Sequence, residues 1–141
     1  MKTPLIQLAI DTLDKETAIQ LCIDCSPFID IVELGTPCIK YNGIQILKDI
    51  VSLNLGNPIL ADLKTMDAGE YESTPFYQEG AAICTVLGSA SPETMQGVVS
   101  AARCHQSRCQ VDLINIVDRK TAALQAAALG VDIIGIHTGI D

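Results

Sequence analysis

The chain has no tryptophan, only two phenylalanines and three tyrosines, and nine Lys and Arg against seventeen Asp and Glu in 141 residues. The resulting net charge of −8 argues against a nucleic-acid partner, which would need a basic footprint facing the phosphates. Long apolar runs are lacking as well. Nothing approaches the ~20 consecutive apolar residues of a membrane span, so no membrane partner is expected. In MKTPLIQLAID the apolar run is too short for a secretory signal and no small-residue cleavage site follows, which gives the expectation of a cytoplasmic protein. With aromatics scarce, the 48% apolar content is carried by Ile, Leu, Val and Ala. Buried parallel strands covered by helices have that composition, and the length suits one domain over residues 1–141.

Six cysteines do not make a recognisable framework. Cys22 and Cys25 form a C-x-x-C inside a helical pattern, with no second pair at a zinc-ribbon spacing. They read as reduced thiols used as small hydrophobes, with a redox or zinc role as the alternative.

What is present is one unit, repeated. Apolar strands at 5–11, 29–35, 58–64, 82–88, 109–115 and 132–138 alternate with helical stretches at the spacing of compact βα units. In the first helix Ala18, Leu21, Cys22 and Cys25 share a face and Asp14 is the expected N-cap. Ile44, Leu47 and Val51 line the second, and a short third helix is expected at 74–79 with Gly80 closing it. Ser91 and Pro92 open the fourth, whose face is Met95, Val98, Val99 and Ala102. The fifth spans 118–129 and stops at Gly130. His105, near a helix end, reads as a surface residue.

Strict alternation predicts a parallel sheet, either doubly wound or closed as a (β/α)8 barrel. The first turn, AIDTLDKET, has no Gly-rich phosphate fingerprint. Asp11, Glu33, Asp62, Asp112 and His137 all fall at the C-terminal ends of different strands. A barrel gathers those ends into one site, so the fold class is an α/β TIM barrel. About eight units are needed and six are present, so an incomplete barrel without strands seven and eight is expected.

Alternation along a strand puts Asp62 and Lys64 on one face, with Gln7 and Asp11, Ile31 and Glu33, Gln110 and Asp112, and Gly135 and His137 on theirs. These should face the barrel axis, while Ile6, Leu8 and Ile10 face the helices. An ammonium among carboxylates is a compensated cluster, and Lys64 beside Asp62 should keep its proton. It then suits charge stabilisation rather than Schiff-base chemistry. Glu33 and Asp62 are hard oxygen donors in the number Mg²⁺ usually takes from protein. A purely structural ion-pair network is the alternative for any one pair.

QLAIDTLDKETAI, DIVELGTPCIKYNGI, ADLKTMDAGEYE and GIHTGID together resemble the 3-hexulose-6-phosphate synthases, a family of the orotidine-5′-phosphate decarboxylase suprafamily of (β/α)8 barrels. D-x-K-x-x-D, here Asp62, Lys64 and Asp67, marks the suprafamily. E-L-G-T-P at 33–37 narrows the resemblance to the synthases and the related 3-keto-L-gulonate-6-phosphate decarboxylases. V-D-L-I-N with H-T-G is similar to the synthases; the decarboxylases carry Glu at the position of Asp112 and an Arg shortly after the histidine, where this chain has Gly139.

The resemblance implies an aldolase that adds formaldehyde to D-ribulose 5-phosphate through a Mg²⁺-stabilised enediolate, with Mn²⁺ as the other candidate metal. It implies Glu33 and Asp62 as metal ligands, His137 for proton transfer, Lys64 for charge stabilisation, and Asp11 and Asp112 for substrate orientation. Asp67 would reach the site of a partner in a homodimer. The family's phosphate site follows strands seven and eight. Two other readings stand beside this one: a sugar-phosphate decarboxylase using the same metal site, and a non-catalytic remnant that associates with a complete barrel.

Overall fold

In the computed structural model, which describes residues 3–141, the apolar segments form one parallel sheet in sequential order. Its strands are β1 (Gln7–Ile10), β2 (Ile31–Leu34), β3 (Ile59–Thr65), β4 (Ile83–Leu87), β5 (Arg108–Asp112) and β6 (Ile133–Gly135). Between them lie α1 (Lys15–Cys25), α2 (Thr36–Asn42), α3 (Gln45–Ser52), α4 (Gly69–Gln78), α5 (Pro92–Cys104) and α6 (Arg119–Ala128). Sequential parallel order is the wall of a (β/α)8 barrel; a doubly wound sheet would reverse its strand order. Six strands make an incomplete barrel, with β1 and β6 as edges.

The two faces of the sheet carry different cores. Ile10, Val32, Leu34, Ala61, Cys84, Val86, Cys109 and Val111 face the helices and pack against Ala18, Cys22, Ile46, Leu47, Ile50, Val98 and Ala102. On the other face Ile31, Leu60 and Ile83, with Ile133 against them, form a small apolar floor. Leu8 packs on the helix side as alternation requires, but Ile6 lies ahead of the edge strand and is exposed.

Local signals fix most helix starts. Asp14 Oδ2 accepts the Thr17 N–H at 2.7 Å, Ser91 Oγ that of Thr94 at 3.1 Å, and Asp118 Oδ1 that of Thr121 at 3.1 Å. Gly130, at φ +90°, ends the α6 unit.

Two helices depart from expectation. Gly43, at φ +67°, splits the second helical stretch into α2 and α3, and the buried face of α3 is Ile46, Leu47 and Ile50. Ile44 only caps it, and Val51 is half-buried. Helix α4 begins at Gly69, well ahead of the expected 74–79, and carries Pro75 internally. Its register is set by packing: a Cβ on Gly69 would stand 2.0 Å from the Thr94 carbonyl oxygen, and one on Gly97 would stand 2.8 Å from the Glu70 nitrogen. His105 is half-buried rather than on the surface, capping α5 with its ring stacked on Tyr77 at 6.3 Å between centroids.

All six cysteines are free, and Cys22, Cys38, Cys84 and Cys109 are buried in the helix-side core. Burial pushes the Cys22 thiol up to about 11 and the Cys109 thiol to about 12, the behaviour of packed hydrophobes rather than nucleophiles. Among the described residues no helix is long and apolar enough to cross a membrane.

Candidate active site

Above the floor, the C-terminal ends of the strands surround a cleft of about 620 Å³. Asp11, Glu33, Asp62, Lys64, Asp112 and His137 all line it, together with Gln7, Thr36 and Gln110. Asp67 does not. It lies on the exposed turn after β3, where its Oδ1 accepts the Ala68 N–H at 2.8 Å.

Asp62 is 5% exposed, and three donors converge on its carboxylate. Oδ2 pairs with the Lys64 ammonium and accepts the Thr36 hydroxyl at 2.8 Å; Oδ1 accepts the Thr85 hydroxyl at 2.8 Å. Lys64 Nζ also lies 3.4 Å from Asp112 Oδ2. Burial works against the charged ammonium, but Asp62 and Asp112 outweigh it and hold Lys64 above the ordinary lysine value. The side chain stays protonated, as its neighbours in the sequence imply.

Simple alternation does not place Lys64. Strand β3 bulges between Ala61, opposite Cys84, and Thr65, opposite Val86, and Lys64 adopts a left-handed φ of 47°. Thr36 and Thr85 were not among the sequence candidates. Thr85 was within reach of the same reasoning, since it shares the axis face of β4 with Ile83 and Leu87; Thr36 opens the helix directly after Gly35.

Glu33, beside Gln7, is half-buried. Burial lifts its carboxyl above the ordinary glutamate value; the Gln7 hydrogen bond, at 2.5 Å, opposes this, while Asp62 and Asp11 add to it. Asp11 stands just beyond β1 over Gly35, where a Cβ would come within 1.9 Å of Asp11 Oδ1. A side chain at position 35 would therefore push the Asp11 carboxylate from its place in the cleft.

His137 Nδ1 is 2.9 Å from Asp112 Oδ2, and Asp112 Oδ1 accepts the Ile114 N–H at 2.9 Å. A carboxylate only accepts, so Nδ1 carries a proton, and in the neutral imidazole the lone pair is on Nε2. The sixth strand ends at Gly135, short of the expected 138, where its pairing with Asp112 of β5 stops. His137 therefore stands on the following segment, where Arg119 Nη2 donates to its carbonyl at 3.1 Å.

Among the described residues, no group of three or more His, Cys, Asp and Glu side chains is placed to hold a metal. Two carboxylates are enough for Mg²⁺, which draws the rest of its shell from water and substrate. Three of the roughly four lone-pair sites on Asp62 are used, leaving one on Oδ1. Among the described residues Glu33 is hydrogen-bonded through Oε2 alone, and it carries a charge that burial disfavours. The donor set fits a hard divalent cation.

Residues 4–141 match the family described as orotidine 5′-phosphate decarboxylase / HUMPS. The chain is similar to 3-hexulose-6-phosphate synthase of Methylomonas aminofaciens, 48% identical over 137 residues, which are 97% of the chain and 66% of that protein. Against the Mycobacterium gastri synthase identity is 40% over 136 residues, 96% of the chain and 66% of that protein. A crystal structure of 3-hexulose-6-phosphate synthase superposes with a TM-score of 0.96 at 40% identity, over 98% of this chain and 67% of that one. The chain thus spans 66% of the length of these two curated relatives.

Proposed function

We propose, for a chain that belongs to the orotidine 5′-phosphate decarboxylase / HUMPS family, a 3-hexulose-6-phosphate synthase-type activity: aldol addition of formaldehyde to D-ribulose 5-phosphate. The observation that carries this reading is the His137–Asp112 pair, 2.9 Å apart, beside the protonated Lys64 in one cleft. It supplies a base and a cation where a carbon acid next to a ketone needs them.

His137 Nε2 takes a proton from carbon 1 of the ketose, and the electron pair moves towards the carbonyl at carbon 2. Lys64, held charged by Asp62 and Asp112, stabilises the negative oxygen that results. Carbon 1 of the enediolate then attacks formaldehyde. One carbon–carbon bond forms, and the former aldehyde oxygen takes the proton back from His137. Asp112 fixes the imidazole tautomer while it and Asp11 orient substrate hydroxyls. Glu33 and Asp62 would hold Mg²⁺ or Mn²⁺, which when bound supplies Lewis-acid stabilisation of the oxygen at carbon 2. Asp67, exposed and outside this cleft, is assigned to the cleft of the second protomer in a homodimer. The chain acts as one cytoplasmic domain over 1–141, and its partners are the sugar phosphate and formaldehyde, not nucleic acid or membrane.

The first half-reaction tests the reading without formaldehyde. In D₂O, NMR should show deuterium entering carbon 1 of ribulose 5-phosphate, and His137→Asn should slow this by about 100-fold or more. Exchange that survives His137→Asn would remove the base from the scheme. Release of carbon dioxide from a 3-keto acid sugar phosphate, with no formaldehyde uptake, would give the site to a decarboxylase.

A further inference from the structure

The β3 bulge creates a local problem of hydrogen bonding. Between Ala61 and Thr65 the strand carries two residues more than β4 does between Cys84 and Val86. The slack is taken up with Lys64 at φ 47°, a left-handed conformation that a residue with a Cβ keeps only when its surroundings enforce it. The same bulge takes the Lys64 N–H out of the regular ladder, and a part-buried amide must find another acceptor. It finds a side chain, Thr85 Oγ1, at 2.9 Å.

Thr85 is 2% exposed. Its hydroxyl has one proton, which goes to Asp62 Oδ1 at 2.8 Å. Both directions are forced, because an amide only donates and a carboxylate only accepts. One hydroxyl therefore joins the backbone of Lys64 to the side chain of Asp62, and the ammonium of that same Lys64 closes the ring on Asp62 Oδ2. Valine would fill the space between Ile83 and Leu87 on this face equally well but could make neither bond.

We propose that Thr85 is a positioning residue: its hydroxyl holds Lys64 in the left-handed bulge and fixes the Asp62 carboxylate, so that the two charges meet within the cleft. The catalytic consequence rests on the aldolase reading; the backbone consequence does not.

The test compares Thr85→Val and Thr85→Ser with the unmutated chain. Amide hydrogen exchange, read residue by residue by NMR, should accelerate at Lys64 by about tenfold or more in Thr85→Val. Exchange at Val32 and Val111 should stay within about threefold. Thr85→Ser, which keeps the hydroxyl, should leave Lys64 within about threefold of its original rate. In the deuterium-exchange assay, Thr85→Val should lower kcat by about tenfold with KM for ribulose 5-phosphate nearly unchanged. Unaltered Lys64 exchange in Thr85→Val, or equal acceleration throughout β3 and β4, would overturn the proposal. Should Thr85→Val fail to fold, Thr85→Ser decides: rapid Lys64 exchange with the hydroxyl present would assign the role to the methyl group. A Lys64-specific effect in a chain that never exchanges carbon 1 would support the positioning role while contradicting the aldolase reading.

Discussion

Glu33 is caught between burial, which lifts its carboxyl, and a hydrogen bond from Gln7 that opposes the lift, with Asp62 and Asp11 adding to it. The folded chain therefore holds this proton more tightly than the unfolded chain does. That contribution to stability is complete below the ordinary value of 4.5 and is lost as pH rises through the higher folded value. Glu33→Gln should accordingly raise the thermal midpoint at neutral pH, with the advantage vanishing below about pH 4. Mg²⁺ should raise the midpoint of the unmutated chain at neutral pH and leave that of Glu33→Gln in place, a result read without any activity. A variant no more stable than its parent at neutral pH would show that the buried charge is already compensated. Glu33, Asp62, Asp112 and His137 were legible in the sequence because ionisable groups in apolar strands stand out against the cost of burying them. Thr85 and Thr36 were not, since threonine is an ordinary strand or helix-start residue and only its hydrogen bonds mark it.

Elements divide along the same line between local and tertiary causes. Helices α1, α5 and α6 start where Asp14, Ser91 and Asp118 cap them, a signal contained in a few consecutive residues. The parallel sheet and the inward-facing set other than Lys64 were equally readable, because an apolar run and its alternation are properties of each strand alone. The start of α4 and the β3 bulge were not readable, for each depends on a neighbour distant in sequence: Thr94 against Gly69, and Thr85 under Lys64. The α4–α5 crossing supplies a test at this scale. Gly69→Ala places a Cβ against the Thr94 carbonyl oxygen, where the main chain cannot move aside cheaply. It should lower stability to urea by about 1–3 kcal/mol without changing Mg²⁺ binding, as measured by unfolding midpoints with and without the ion. A loss within error would mean the two helices can slide apart freely.

At the scale of the molecule, six parallel strands in sequential order bring to one end a set of charges that no single element contains. The floor of Ile31, Leu60 and Ile83 closes one side of the cleft, and ionisable groups from five of the six strands or the segments after them open on the other. That separation lets Lys64 remain charged near an apolar layer and leaves His137 on the wall of the cleft, tied to Asp112 through Nδ1. The barrel class was legible because the polar residues fell at one end of every strand that carries one; the edges at β1 and β6 follow from the count of strands. The account as a whole is tested most directly by formaldehyde consumption in the presence of this chain, ribulose 5-phosphate and Mg²⁺, with and without a chelator. It predicts consumption that stops on chelation and on Glu33→Ala or Asp62→Ala. Consumption indifferent to the metal, or none under any of these conditions, would contradict it.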